Sequence, residues 1–409
     1  MKKALIGTTA LVAAGLFSGG AFAADPIKLG LSGNFRAMLG YVNQDDGVGQ
    51  AGRDRRDFGI GHDSKINFTG KTTLDNGIEV GVAIELEPES DALGSRNNGD
   101  ANTAAAGAVA NGNRFSIGET DIIDEAYIYI ENQNQWGRIE LGDRDGAANK
   151  MNNLGPFVLG TSIVGVATMQ AVSAPGAGNQ AGNPILAPGS RGSLAGDGTK
   201  VTYYTPRFAG IQLGASYTPD RVENQGRFGI GIAAIDVTTL APGAQGDILD
   251  VAANYVMTFG DFNVRANIGI TRGDQESTAV GTFDEDELVV GGQVSWGAFA
   301  FGGSYLKGDV NVNTGGAANR KEDETILRLA GTYSIGPWLA GLEYARKAVD
   351  QTAGGEDKVT IWGLAARRTL GPGVTIGAGI RRWDWEDNAN VLANENEATE
   401  VLVETSFTF

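Results

Sequence analysis

The chain has no cysteine and one histidine, His62, in 409 residues. Disulfides, thiolate zinc sites and cysteine nucleophiles are excluded, and with them multi-histidine metal centres and most histidine-paired catalysis. Basic residues are scarce: 32 Lys+Arg stand against 49 Asp+Glu, a net charge of −17. Phosphate backbones would be repelled, so no nucleic-acid partner is expected. After residue 23 there is no run of about 18 apolar residues, which excludes a helical membrane crossing. What is abundant is glycine, 62 residues, about twice the usual share. Cysteine-free, acidic and glycine-rich, the chain points to extended β-structure.

The first segment reads as an address. Met1-Lys2-Lys3 is basic, Ala4–Gly20 is apolar and small, and Ala21-Phe22-Ala23 has the form of a cleavage site. Residues 1–23 are therefore expected to be a secretory signal peptide, and 24–409 a single β-barrel domain.

The rest alternates with period two. Leu29, Leu31, Gly33, Phe35, Ala37, Leu39 and Tyr41 line one face, and Lys28, Ser32, Asn34 and Arg36 lie between them. The pattern recurs at Ile78–Leu86, Leu249–Phe259, Phe262–Ile270 and Val401–Phe409. Sixteen strands are predicted, over 27–41, 64–75, 77–87, 121–132, 136–143, 199–206, 209–218, 247–259, 261–273, 286–297, 298–310, 323–335, 337–350, 357–370, 373–386 and 399–409. Residues 357–370 are apolar on both faces, so their outer face is not assigned. Arg227–Leu240 has room for a further strand pair, and counts of fourteen or eighteen stay open.

The connections decide between a soluble sandwich and a closed barrel. Short turns such as Asp75-Asn76-Gly77, Gly260-Asp261 and Gly336-Pro337 alternate with long polar loops near 42–63, 88–120, 144–198 and 219–246. Short turns at one rim and long loops at the other belong to a transmembrane β-barrel, in which closure leaves no strand edge unpaired in lipid. The predicted fold is thus all-β: a 16-stranded antiparallel transmembrane β-barrel with short periplasmic turns and long extracellular loops. Sixteen strands enclose an aqueous lumen, whereas about eight would be filled by side chains.

Three stretches resemble the Gram-negative general porins. Asp124–Ile130 followed by Gly137–Asp143 looks like that family's fourth and fifth strands, and Val201–Gly210 like the pair after its third loop. The terminal Phe407-Thr408-Phe409 is similar to its outer-membrane assembly signal. The resemblance implies an outer-membrane, water-filled pore, usually a homotrimer, for small hydrophilic solutes and ions. It implies a third loop folded inward, here 144–198, outer-membrane lipid and lipopolysaccharide as surroundings, and no cofactor or catalysis. A substrate-selective channel is the alternative. Two departures stand out. The arginine that members often carry before the sixth strand is absent, or replaced by Arg191, where this chain has Gly196, Thr199 and Lys200. The third loop holds only Asp145 and Asp197 as carboxylates.

Strand parity sends Arg36, Lys65, Lys71, Arg138, Arg265, Arg328 and Arg381 to the polar face, with Glu79, Glu85, Glu125, Glu140, Glu343 and Glu404. Pores select through rings of charge at a constriction. The expected constriction is Arg36, Lys71, Arg138 and Arg328 on the wall facing Asp145 on the loop. Leu154–Leu159 reads either as an anchor holding the loop to the wall or as a partly apolar constriction. The acidic runs Asp284–Glu287 and Glu322–Glu324 read as loop ends able to bind divalent cations, with solvated loop charge as the plainer reading. Trp136, Tyr217, Phe259, Phe262, Trp296 and Trp338 are expected near the short turns as an aromatic girdle. The acidic balance implies weak cation preference. Gly47–Gly52 matches G-x-G-x-x-G but sits before a strand, the wrong context for a dinucleotide. His62, Asp63 and Ser64 are neighbours on one strand and point to opposite faces, so they form no triad.

Overall fold

The computed structural model describes residues 26–44, 57–87, 123–160, 194–220, 245–275, 283–312, 320–350, 355–386 and 396–409. The segments 1–23, Gly47–Gly52 and Arg227–Leu240, and Arg191, lie outside the described residues.

Sixteen strands form one closed antiparallel barrel. They are β1 (Lys28–Gln44), β2 (Phe58–Thr73), β3 (Glu79–Leu86), β4 (Ile123–Asn132), β5 (Gly137–Asp143), β6 (Thr199–Tyr204), β7 (Ile211–Asp220) and β8 (Gln245–Phe259). The second half comprises β9 (Phe262–Gln275), β10 (Glu285–Trp296), β11 (Phe299–Val312), β12 (Arg320–Ile335), β13 (Trp338–Asp350), β14 (Glu356–Gly371), β15 (Val374–Glu386) and β16 (Asn396–Thr408). Each strand pairs with its sequence neighbours, and β1 pairs with β16 from Asn34↔Thr408 to Gln44↔Ala398. Closure leaves no free sheet edge. Among the described residues no helix is long and apolar enough to cross a membrane.

The faces are inverted relative to a soluble protein. Large apolar side chains are exposed on the outside: Leu29, Leu31, Ile60, Leu213, Ile268, Ile270, Leu342 and Leu364 among them. Polar and charged side chains are buried on the inside. An exposed apolar band over a closed sheet is the surface that hydrocarbon solvates. It also resolves β14, where Trp362 and Leu364 face outward while Val359 and Ile361 are fully buried inward. The inward pair joins Val42, Ala330, Ala345, Ala398 and the stacked Trp383 and Trp385 in an apolar cluster on the long-loop half of the inner wall.

The short turns behave as their residues require. Gly260, Gly297 and Gly336 have φ of 56°, 56° and 55°, the left-handed region that glycine enters without penalty. Around these turns Phe262, Trp296, Phe299 and Tyr333 form a continuous aromatic run, with centroid separations of 5.9, 6.4 and 4.7 Å. Tyr217 departs from expectation. It lies towards the long-loop end of β7, where its hydroxyl bonds to Asp247. The acidic runs depart too. Apart from Asp284 they belong to β10 and β12, and strand alternation splits them: Glu285, Glu287, Glu322 and Glu324 are buried inward, while Asp286 and Asp323 point outward.

Candidate functional site

The third loop leaves β5 at Arg144 and makes a single helical turn, α1 (Ala147–Lys150). From there it runs along the inner wall of the barrel. The Ala147 amide donates to Ser216 Oγ on β7 (3.0 Å) and the Asn153 amide to Asn267 Oδ1 on β9 (2.8 Å). The Gly160 amide donates to Glu404 Oε1 on β16 (2.9 Å). Seventeen residues from 144 to 160 thus pass from the wall at β7 round to the wall at β16 and β1.

Glycine on the inner face makes this course possible. A Cβ on Gly291 of β10 would stand 2.2 Å from the Asn153 carbonyl oxygen. One on Gly341 of β13 would stand 2.8 Å from Val158, and one on Gly377 of β15 2.5 Å from Leu159. Carbon atoms in contact need about 3.5–4.0 Å, so the loop lies where side chains are missing. Val158 and Leu159 are buried in these seats, and Leu154 packs on the tryptophan cluster. Leu154–Leu159 is therefore mainly an anchor. Phe157 alone among its large apolar residues is exposed, at 48%.

The base of the loop is held by Lys200. This side chain is buried, and Nζ donates to the backbone carbonyls of Arg144, Gly196 (2.9 Å) and Gly198 (2.5 Å), tying together the two ends of the loop. Sequence reading placed Lys200 only as a departure from the family pattern. Its even parity on β6, opposite Val201 and Tyr203, was the available signal. Beside it, Asp197 lies between the strands. Burial, then the neighbouring carboxylates Asp145, Asp124 and Glu125, push its carboxyl up to about 8, against the opposite pull of Lys200.

The predicted constriction residues are distributed as follows. Arg36 reaches the loop: its guanidinium pairs with Asp63 and packs against Gly160. Lys71 lies towards the short-turn rim and pairs with Glu79 (3.1 Å). Arg138 pairs with Glu131 (2.9 Å) and Glu140 (2.5 Å) and stacks over Tyr129 at 3.7 Å. Arg328 is 1% exposed, with Nη1 3.4 Å from Ser304 Oγ. Asp145 faces Lys150 (3.6 Å) and shares a cluster with Glu125 and Asp197. The four wall cations do not converge on Asp145. Arg144 was missed by parity because it lies beyond the strand; it pairs with Glu140 (2.8 Å) and stacks over Tyr127. His62 is exposed beside the Phe35 ring while Asp63 turns inward to Arg36, so these two side chains diverge.

Carboxylates dominate the buried part of the inner wall. Among the described residues ten are buried against four cations, Lys200, Arg328, Lys347 and Arg381. Two of those cations pair across strands, Lys347 with Glu324 (2.7 Å) and Arg381 with Glu400 (3.3 Å).

A family model described as Gram-negative porin matches residues 7–388. Among curated proteins no sequence matches. Among solved structures, the anion-selective porin from Comamonas acidovorans is 17% identical with a TM-score of 0.57, covering 94% of this chain and 100% of that one. The trimer form of OmpT, an outer membrane protein of Vibrio cholerae, is 13% identical with a TM-score of 0.56, at 94% and 100% coverage. The outer membrane channel DcaP of Acinetobacter baumannii is 13% identical with a TM-score of 0.57, at 96% and 100% coverage. At these identities the likeness is one of fold.

Proposed function

The chain belongs to the Gram-negative porin family, and on that premise we propose a general diffusion porin whose third loop and acidic wall set its size limit and ion preference. The protein is an outer-membrane β-barrel that forms a pore for passive diffusion. The observation that carries this reading is the order of its faces, apolar outside and charged inside around a closed sheet of sixteen strands. Small hydrophilic solutes and ions move down their gradients through such a lumen, and the protein contributes shape and field, with no chemical step.

Several finer points belong to the proposal. Residues 1–23 are removed on export. Arg36 narrows the passage where the loop returns to the wall, with Arg144 and Asp145 at its start, while Lys71, Arg138 and Arg328 act as paired wall charges. The pore prefers cations weakly, in keeping with its buried carboxylates. The subunits form a homotrimer. This is supported by the low wall formed by β5 and β6, of 7 and 6 residues. A tilted strand needs about 9–11 residues to cross hydrocarbon, so a neighbouring copy is the natural cover for this side. Lipid and lipopolysaccharide contact the remaining outer face.

Planar-bilayer recording of the purified protein tests this. Steps in groups of three that scale with bulk salt conductivity, with a reversal potential of cation sign, are expected. Correctly folded barrels without conductance would overturn the pore, and an anion-sign potential would overturn the role given to the wall carboxylates.

A further inference from the structure

Beneath Gly160, where the third loop meets β16 and β1, the inner wall is hollowed into a cavity of about 460 Å³ that opens to the lumen. We propose that this hollow is a binding subsite for a sugar acid, a small polyhydroxylated monocarboxylate, within the pore reading above. At roughly 30 Å³ per water, the space matches about fifteen waters or one six-carbon solute.

The lining carries the recognition. Arg36 and Arg367 bring two guanidiniums, each a planar fork suited to a carboxylate. Arg36 is committed to Asp63. Arg367 has no ion-pair partner among the described residues. Elsewhere on the wall Lys71, Arg138, Lys347 and Arg381 are all paired. Asn34, Asn67, Ser406 and Thr408 also line the hollow, uncharged groups that both donate and accept. Such a set reads hydroxyl groups and leaves the ligand's charge to Arg367. Glu404 completes the lining, with one oxygen held by the Gly160 amide. Its negative charge opposes a second carboxylate on the ligand and accepts from a hydroxyl. A monoanion rich in hydroxyls meets all of these groups, whereas a dianion meets repulsion and a neutral sugar leaves Arg367 unused.

Arg265 provides the internal control. It too has no ion-pair partner among the described residues, but it lies outside this cavity. The experiment uses the purified full-length mature protein in planar bilayers, with glucuronate as the probe, and calorimetric titration of the detergent-solubilised protein in parallel. Saturable glucuronate block is expected, with glucose, succinate and serine at least tenfold weaker. Arg367→Gln should weaken glucuronate at least tenfold, Arg367→Lys should fall between, and Arg265→Gln should match the unmodified protein. Equal losses in the Arg265 and Arg367 variants would overturn the subsite in favour of a general field. Tighter binding of succinate, serine or glucose would overturn the ligand class. Conducting channels without saturable block, and no calorimetric binding, would remove the subsite and leave the pore standing. Calorimetric binding without conductance would retain the subsite and refute the pore.

Discussion

Gly291→Ala is the sharpest test of how the third loop is seated. The new Cβ would lie 2.2 Å from the Asn153 carbonyl oxygen and 2.6 Å from Asn267 Oδ1. Relief requires the loop to retreat from the wall by about 1 Å, into the lumen. Asn267 Oδ1 is also the acceptor for the Asn153 amide, so the same methyl strains the hydrogen bond that docks the loop there. Overpacking of this kind costs about 1–3 kcal/mol. If the cost falls on the docked loop, its open population rises by roughly 5- to 150-fold, since 1.4 kcal/mol is a factor of ten. Limited proteolysis of the folded barrel reads that population directly when opening is fast relative to cleavage. Cleavage within the third loop should accelerate by that factor while the barrel stays heat-modifiable on gels, and single-channel conductance should fall. The control is Gly363→Ala, also on the inner wall, where the nearest atom to a Cβ is 3.6 Å away. If Gly291→Ala is cleaved and conducts like Gly363→Ala, the glycine seat does not position the loop.

Three further outcomes are expected. Lys200→Met keeps the aliphatic stem but leaves one buried and two half-buried carbonyls without this donor, at about 1–3 kcal/mol for the buried one and less for the others, so third-loop proteolysis should rise at least tenfold; an unchanged rate would show that Lys200 does not clamp the loop. Because the folded protein holds the Asp197 proton up to about 8 against an ordinary 3.8, stabilisation from this group is full below about pH 4 and is lost as pH rises to about 8. Ionisation near pH 8 places a new charge beside Asp145 and Glu125, so cation preference from reversal potentials should step upward there and the step should vanish in Asp197→Asn; a flat profile in the unmodified protein would refute it. Phe409 pairs with Gly33 through both backbone groups, at 2.9 and 3.0 Å, and lays its ring over the bare Gly33 Cα, so Phe409→Ala should reduce the heat-modifiable barrel recovered from outer membranes; undiminished recovery would deny it a role in assembly.

Strand alternation fixed most of the architecture before any tertiary information. Period two is a local property of the backbone, so Leu29–Tyr41 or Phe262–Ile270 declares which residues share a face without reference to partners. Turn residues are equally local, and Gly260, Gly297 and Gly336 sit at φ values that glycine adopts freely. Together they were enough for sixteen strands, a closed sheet and an inward Arg36. Where alternation was ambiguous the sequence fell silent. Val359–Leu364 is apolar on both faces because one face points out of the barrel and the other meets Trp383 and Trp385, and only the neighbouring strands reveal the second surface. The runs around Glu285 and Glu322 read as loop charge because composition resembles a loop, while the ladder extends the strands through them.

The arrangement inside the barrel was decided by tertiary structure. Parity sends Arg36, Lys71, Arg138 and Arg328 to one side of the sheet, but height in the pore depends on strand register, and register is a relation between strands. The structure accordingly sets Arg36 against Gly160, Lys71 towards the short-turn rim and Arg328 in the buried wall. Glycine abundance was legible as a composition, yet its use was not. Gly291, Gly341 and Gly377 lie on three different strands and become one seat only when the sheet closes and the loop crosses them. Lys200 likewise reads only as a departure from the family pattern until both ends of the third loop arrive at its ammonium. What a single strand or turn can express through its own backbone, the sequence determined by itself. What needs two distant segments at one height, the seat, the clamp and the hollow beneath Gly160, had to wait for the fold.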